Sequence, residues 1–221
     1  MLVGHYAASL MLKRVDKKAP LGMLFIAVQF VDILFLLLAL VGIEHFNIVE
    51  NYTESTHFEL YYMPYTHGLF ASFLWALVIY IAFRFIPSKE AVNKKRIALV
   101  MGIAVLSHWF LDLIVHTPDL PLLGDSSTKV GLGLWNNGMA TYLLEAALLL
   151  VGLGVYLKST KGTTFVGKYG MIIFVVFMLL INLNNIFGPP MADDVLTMSI
   201  FGLAMYSIFT AVAFWLDRKR S

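Results

Sequence analysis

The sequence of 221 residues contains no cysteine, and only 14% of its residues are charged. The absence of cysteine excludes disulfides and thiolate metal sites, so any bound metal must rely on histidine and carboxylate ligands. Soluble domains carry about 25% charged residues. Together with a mean hydropathy of +0.79 and 59% hydrophobic residues, the low charge indicates a membrane protein.

Several signatures of soluble enzymes are also missing. The chain has no glycine-rich phosphate loop, no nucleophile elbow and no His-Glu-x-x-His motif. Its net charge is +2, and no basic face interleaved with aromatic residues argues for nucleic acid. The first basic cluster follows the first apolar stretch instead of preceding it, so we expect no cleaved signal peptide.

Six apolar segments are long enough to span a bilayer, which requires about 20 residues in a helix. Prolines and glycines punctuate the connections between them. We therefore expect an all-α, polytopic helical bundle that forms a single transmembrane domain over residues 1–221. Its spans are predicted at roughly 20–43, 64–86, 97–117, 134–157, 170–187 and 195–216.

A short N-terminal helix is predicted over residues 1–15, too short to cross the membrane. It could lie in the interface, insert halfway or remain poorly ordered. If the basic cluster Lys13–Lys18 marks the inner surface, a helix running back from it would bring His5 to a depth of about 12 Å. The sequence leaves these arrangements open.

The basic residues fall on alternate connections. All 16 except Lys129 lie on one side of the predicted bundle, whereas the connections of the other side are acidic. The positive-inside rule places the basic side and the C-terminus in the cytoplasm. We expect a multi-pass protein of the plasma membrane.

Ionisable side chains inside a bilayer are costly and usually mark functional sites. No Lys or Arg lies deep in a predicted span to neutralise the acids there. The acidic residues and histidines within the predicted spans are Asp32, His67, His108, Asp112, His116 and Glu145. Buried carboxylates beside imidazoles favour a bound cation, although each residue alone is also compatible with a hydrogen bond between helices.

The stretch "SHWFLDLIVHTPDLPL" shows the strongest pattern. His108, Asp112 and His116 recur at four-residue spacing, which aligns them on one helix face. His108 and Asp112 lie near mid-membrane, whereas His116 lies close to the outer surface. Polar residues between these depths predict a cavity that opens outward, with wall residues His116, Asn137, Asn182 and Asn185.

The order of these residues resembles a known family. His5, Asp32, His67 in "YTHG", and His108 with Asp112 in "SHWFLD" resemble the membrane-bound metal-dependent hydrolases of bacteria and archaea. Those are distantly similar to the zinc-dependent phospholipase C and nuclease superfamily. The resemblance, which covers about residues 1–120, implies one zinc ion held by Asp32, His67, His108 and Asp112. It also implies a second metal that uses His5 and shares Asp112.

The chain departs from the family pattern at two places. The stretch "QFVDIL" has only Asp32 where the membrane family shows Pro-Asp-x-Asp. In "TYLLE", Thr141 stands where the superfamily has a histidine, although Glu145 remains. The ligand set for a third metal is therefore incomplete.

The leading hypothesis is a metal-dependent hydrolase that acts on a lipid or lipid-like ester, phosphoester or amide. Glu145 or Asp32 would accept the proton of a metal-activated water. The expected partners are membrane lipid and a lipid-like or small-molecule substrate, not nucleic acid. Two alternatives stay open: a proton- or metal-ion-coupled transporter, and a membrane scaffold whose polar residues only join helices.

Overall fold

The computed structural model describes residues 1–85 and 94–220, and this part of the chain is mostly helical. The helices are α1 His5–Val15, α2 Leu21–Val28, α3 Phe30–Leu40, α4 Leu69–Phe85, α5 Lys94–Val115, α6 Gly138–Ser159, α7 Phe165–Phe187 and α8 Val195–Asp217. Four short strands, β1 His45–Ile48, β2 Phe58–Tyr62, β3 Leu120–Pro121 and β4 Lys129–Val130, lie in the connections, and a 3₁₀ turn covers Leu134–Asn136.

Helices α5 to α8 are each long and apolar enough to cross a membrane. The bent pair α2–α3 passes the same test only when taken together, and α4 is shorter. The expected helical membrane bundle is thus confirmed, with four such spans, or five if the bent pair counts as one. The predicted span 64–86 starts later in the structure, at Leu69, and its last residue and the basic Lys89 lie outside the described residues.

The short helix α1 lies inside the bundle, packed between α2, α5 and α6. His5, Tyr6 and Leu10 are fully buried, so α1 is an ordered part of the bundle interior. Gly152 makes this packing feasible, because a Cβ there would lie only 2.9 Å from the Ala7 backbone.

A break at Gln29 separates α2 from α3, and the two helix axes differ by 55°. The Gln29 side chain donates a hydrogen bond to the Leu2 carbonyl, which ties the break to the residues before α1. Helix α3 then begins with Asp32 in its first turn. The bend therefore directs this carboxylate into the bundle beside α5.

The acidic connections gather at one end of the bundle, here called the outer end. The antiparallel β1–β2 hairpin reaches the starts or ends of several helices there. The Glu54 carboxylate accepts a hydrogen bond from the Gly138 N–H at 3.0 Å, and the His57 ring bonds the Gly188 carbonyl at 3.0 Å.

Basic side chains tie the opposite, inner end together. Lys13 donates to the Asp217 carboxylate at 2.7 Å, which joins α1 to the end of α8. Arg220 bonds the Thr160 hydroxyl and the Gly167 carbonyl, and Arg96 bonds the Val15 carbonyl. The two ends of the molecule thus differ in charge, as the sequence predicts.

Candidate metal centre

Five of the predicted site residues meet at one place in the outer half of the bundle. Groups of three among His5, Asp32, His67, His108 and Asp112 place one potential ligand atom each within 4.8 Å of one another. The groups are His5–Asp32–His108 and His67–His108–Asp112. Four separate segments supply them: the start of α1, the first turn of α3, the turn before α4, and α5.

Asp112 is the most crowded member of the cluster and is almost fully buried. Its Oδ1 lies 3.0 Å from Nε2 of His5, and its Oδ2 lies 2.9 Å from Nε2 of His108. His67 and His116 approach the same Oδ2 with their Nε2 atoms at 3.9 and 3.6 Å. Four imidazoles therefore direct Nε2 at one carboxylate.

Asp32 occupies the second carboxylate position and faces the same histidines. Its Oδ1 lies 3.3 Å from Nε2 of His67 and 3.4 Å from Nε2 of His108. The Tyr206 hydroxyl of α8 donates a hydrogen bond to its Oδ2 at 3.0 Å. Asp32 keeps 19% of its side chain exposed, in contrast to 1% for Asp112, so Asp32 is the more accessible of the two acids.

The break between α2 and α3 determines the orientation of His108. Nδ1 of His108 lies 2.7 Å from the Val28 carbonyl, the last residue of α2. A carbonyl oxygen only accepts, so Nδ1 must carry the proton. In the neutral ring Nε2 then holds the lone pair, and this buried atom has no hydrogen-bond partner of good geometry.

A chain of hydrogen bonds orients His67 in the same way. The Thr66 hydroxyl donates to the Glu44 carboxylate at 2.6 Å, so its oxygen is free to accept from Nδ1 of His67 at 2.9 Å. Glu44 also accepts the N–H groups of Tyr65 and Thr66. Burial raises the pKa of the Glu44 carboxyl, while these donors act in the opposite direction.

His116 follows the same rule at the end of α5. Its Nδ1 lies 2.8 Å from the Asp119 carboxylate, which again places the proton on Nδ1. Its ring contacts Trp135 with centroids 4.0 Å apart and is 2% exposed. The structure therefore brings His116 closer to Asp112 than its position near the outer surface suggests.

Glu145 holds the start of α1. Its Oε2 accepts the backbone N–H groups of Leu2, Val3 and Gly4 at 2.8 to 3.0 Å. Gly4 is the N-cap residue of α1, and Leu2 and Val3 directly precede it. The sequence predicts Glu145 as a catalytic proton acceptor, and in the structure its carboxylate anchors the segment that carries His5.

His5 completes the cluster from the first position of α1. Its ring stacks on that of His108 with centroids 3.8 Å apart and planes 8° apart. Two stacked rings at this distance would repel each other if both were charged. The Met1 amine lies 2.6 Å from Oδ1 of Asp112 and 3.4 Å from Nε2 of His5.

A cavity of about 670 Å³ adjoins the cluster. Asp32, His67, His116 and Glu145 line it at one end, and Asn185 lies on its wall. The other two predicted wall residues, Asn137 and Asn182, do not line the cavity. Asn137 caps α6 by accepting the Ala140 N–H, and Asn182 is fully buried with both side-chain atoms unpaired.

The donor set suits a divalent metal. In the described residues, the ion pairs of Asp32 and Asp112 involve histidines and the Met1 amine. Neutral imidazole and carboxylate are normal zinc ligands. Ligating histidines characteristically donate their other N–H to a carbonyl or carboxylate, as His108 and His116 do here. Asp32, His67, His108 and Asp112 would hold one ion, and His5 with Asp112 could hold another.

Sequence reasoning did not find the residues that surround the cluster. Asp119 stands three positions after His116, a spacing that could have suggested the pair. Glu44 and Tyr206 carry no such signal, because they lie far along the chain from Thr66 and Asp32, the residues that they contact.

No protein-family model, curated protein or solved structure matches the chain. The relation to the membrane-bound hydrolases therefore stays a prediction from the residues.

Proposed function

We propose that the chain is an integral-membrane, metal-dependent hydrolase, with zinc as the metal, that acts on a lipid or lipid-like ester, phosphoester or amide. One observation carries this proposal. Two buried histidines, His67 and His108, have Nδ1 committed to fixed acceptors and direct Nε2 at the same pair of carboxylates.

The Met1 amine places one positive charge at Oδ1 of Asp112, which leaves Oδ2 of that carboxylate facing Nε2 of His108. A neutral His108 would hold a lone pair 2.9 Å from a carboxylate oxygen, and this contact is repulsive unless a metal ion or a proton lies between the atoms. Protonation of the imidazole is the other solution. Stacking of His5 on His108 disfavours protonation of both rings, whereas a shared metal satisfies all the ligand atoms together.

A bound divalent metal would supply an activated water and polarise the substrate's phosphoryl or carbonyl oxygen. The protein would contribute orientation and exclusion of bulk water. Asp112 and its histidines are buried, whereas Asp32 faces the cavity. Asp32 would meet the substrate, and Tyr206 would hold its Oδ2 in place.

The proton acceptor in hydrolysis is proposed to be Asp32 or Glu145. Asp32 is the more accessible of the two, with 19% of its side chain exposed. Oε2 of Glu145 already accepts three N–H hydrogen bonds, so only its Oε1 could take this part.

We also propose six membrane-crossing segments in the plasma membrane, with the C-terminus in the cytoplasm. Counting the bent α2–α3 pair and the shorter α4 as crossing segments gives this number together with the four long apolar helices. The basic inner end and the acidic outer end support the orientation.

The α2–α3 break favours a second candidate function. Transporters often bind ions where a spanning helix is interrupted, and Asp32 lies just after such an interruption. Uptake of a metal ion into proteoliposomes would support transport. Hydrolysis in detergent, where no gradient exists, would support the enzyme.

The first test is the metal content of the purified protein. We expect elemental analysis, after purification without chelator, to find bound zinc in the unaltered chain. Asp112→Asn keeps the side-chain shape but removes the charge that four histidines face. It should therefore weaken metal binding by more than the ten- to hundredfold that is typical of an outer partner of a ligand.

His45→Ala serves as the matched control, since His45 is exposed in the hairpin and should leave the metal content unchanged. Thermal unfolding of both variants checks that they remain folded. Full metal occupancy in Asp112→Asn would reject the assigned ligands, and an unaltered chain without metal would reject the metal centre.

A further inference from the structure

Helices α7 and α8 follow each other in the chain but separate over their outer halves. Near the inner end they touch closely, because a Cβ on Gly170 would lie 2.6 Å from Leu216. The rings of Phe174 and Phe209 still meet, with centroids 5.5 Å apart. Beyond that level α8 packs on α3, where a Cβ on Gly202 would lie 2.7 Å from Leu36, and the space between α7 and α8 belongs to the cavity.

The walls of this space are apolar. From α7 they include Phe177, Leu180 and Ile181, and from α8 they include Phe201, Ala204, Met205 and Ile208. Phe35 of α3, Phe46 of β1 and Met198 of α8 form the inner wall and are buried. The walls therefore resemble the interior of a bilayer more than a site for a water-soluble molecule.

Polar residues are confined to two places in the cavity. One is the cluster end, where Asp32 and His67 reach it. The other is the outer rim, where Ser55, Thr56 and Asn184 stand. An apolar slot with polar groups at its ends matches an amphiphile that has a long chain and a compact polar group.

The slot is continuous with the surface that faces lipid. Phe177, Leu180 and Phe201 line the cavity, yet each keeps between 52 and 59% of its surface exposed. These three residues face both the cavity and the outer surface of the bundle, and they form the side rim of the cavity. Since α7 and α8 are both apolar enough to lie in the bilayer, the opening at this side rim faces the hydrocarbon of the bilayer.

We propose that the gap between α7 and α8 is a side entrance that admits the hydrocarbon chain of a membrane lipid. The chain lies along Phe177, Ala204 and Ile208, and the lipid's polar group reaches Asp32 and His67. This inference rests on the proposed function for the fate of the lipid, because only a metal centre at the cluster would make the bound lipid a substrate. Contact of the hydrocarbon chain with the apolar walls supplies the affinity for the lipid.

The test uses a phosphatidylcholine with a photoactivatable diazirine on one acyl chain, in vesicles that contain the purified protein. After illumination, mass spectrometry locates the labelled residues. We expect label on Phe35 and Met198, which are 5 and 6% exposed and which lipid at the outer surface cannot contact.

Ala204→Trp should close the entrance, because residue 204 lies on the cavity wall and an indole would fill the gap. Label on Phe35 and Met198 should then be lost. Ala211→Trp is the matched control. It adds the same indole to an exposed position on nearly the same face of α8. Residue 211 lies about 10 Å closer to the inner end than residue 204 and does not line the cavity, so the labelling should remain unchanged.

The metal content of every sample separates this inference from the proposed function. Bound metal with label only on outward-facing residues would overturn the entrance and leave the metal centre intact. Interior label without bound metal would support the entrance and count against the hydrolase. Equal loss of interior label in Ala204→Trp and Ala211→Trp would also overturn the entrance, because the effect would not depend on the gap.

Discussion

Three of the histidines that face Asp112 share one feature: each has a fixed acceptor at Nδ1. The acceptors are the Val28 carbonyl for His108, the Thr66 hydroxyl for His67 and the Asp119 carboxylate for His116. A fixed proton on Nδ1 leaves Nε2 as the atom that faces the carboxylates. Hydrogen bonds outside the cluster thus decide which atom each ring offers to a metal.

The Thr66 hydroxyl gives the sharpest prediction at this scale. Thr66→Val keeps the shape but removes the link between Glu44 and His67, so metal affinity should fall about ten- to hundredfold. Removal of a buried donor from Glu44 should also cost about 1–3 kcal/mol in the free energy of unfolding. Zinc titration against a competing chelator and thermal unfolding measure the two effects.

Thr66→Ser retains the hydroxyl and should preserve most of the affinity. If Thr66→Val binds zinc as tightly as the unaltered chain, the hydrogen-bond chain does not orient His67 for a metal. A loss of stability without a loss of affinity would show that the link from Glu44 serves only folding.

Part of the cluster follows from local spacing. His108 and Asp112 are four residues apart in one helix, which places them on one face. In the structure Nε2 of His108 lies 2.9 Å from Oδ2 of Asp112. Glu44 could not be predicted in this way. It reaches Thr66 across 22 residues, and its position depends on the hairpin that follows α3.

At the scale of elements, the placement of α1 decides whether His5 joins the site. Glu145 anchors the residues before α1, and α1 packs closely against α6 at Gly152. The sequence left three arrangements of the N-terminal segment open, interfacial, half-inserted or poorly ordered, because a segment this short is compatible with each. Packing against α2, α5 and α6 settles the position.

Gly152→Ala should displace α1, because the added Cβ would meet the Ala7 backbone at 2.9 Å. We expect a lower midpoint of thermal unfolding and weaker metal binding. Gly154→Ala provides the matched control in the same helix, because a Cβ there meets nothing within 4 Å. That change should be neutral or stabilise the helix by about 0.5–1 kcal/mol.

Both measurements apply to both variants in the same detergent. If Gly152→Ala behaves like Gly154→Ala, the close approach of α1 to α6 is not required for the position of His5. A change in stability alone, with unaltered metal binding, would place His5 outside the metal centre.

At the scale of the whole molecule, charge separates the two ends. Acidic connections meet at the hairpin end, and basic residues join α1, α5 and α8 at the other end. The cluster lies toward the hairpin end, since His108 stands seven residues, about 10 Å, before the end of α5. With the proposed orientation, a site in this half of the bundle would face the outer side of the membrane.

Single cysteines test this orientation, because the chain contains none of its own. Ser126→Cys is exposed at the hairpin end, and Lys161→Cys is exposed in the α6–α7 connection. A membrane-impermeant maleimide should label residue 126 in intact cells and residue 161 only after permeabilisation. The reverse pattern would invert the proposed topology, and the unaltered chain reports the background.

The sequence by itself determined the properties that depend on composition and local order. These are the membrane class, the approximate apolar segments, the difference in charge between the ends and the stripe of His108 and Asp112. They follow because hydropathy and helical periodicity act over a few turns of one segment.

The tertiary structure alone decided how the segments face one another. It buried α1, turned Tyr206 toward Asp32, engaged Glu145 with the backbone before α1 and opened the gap between α7 and α8. These features depend on helix rotation and tilt, which side-chain packing between distant segments determines. No local pattern in the chain encodes them.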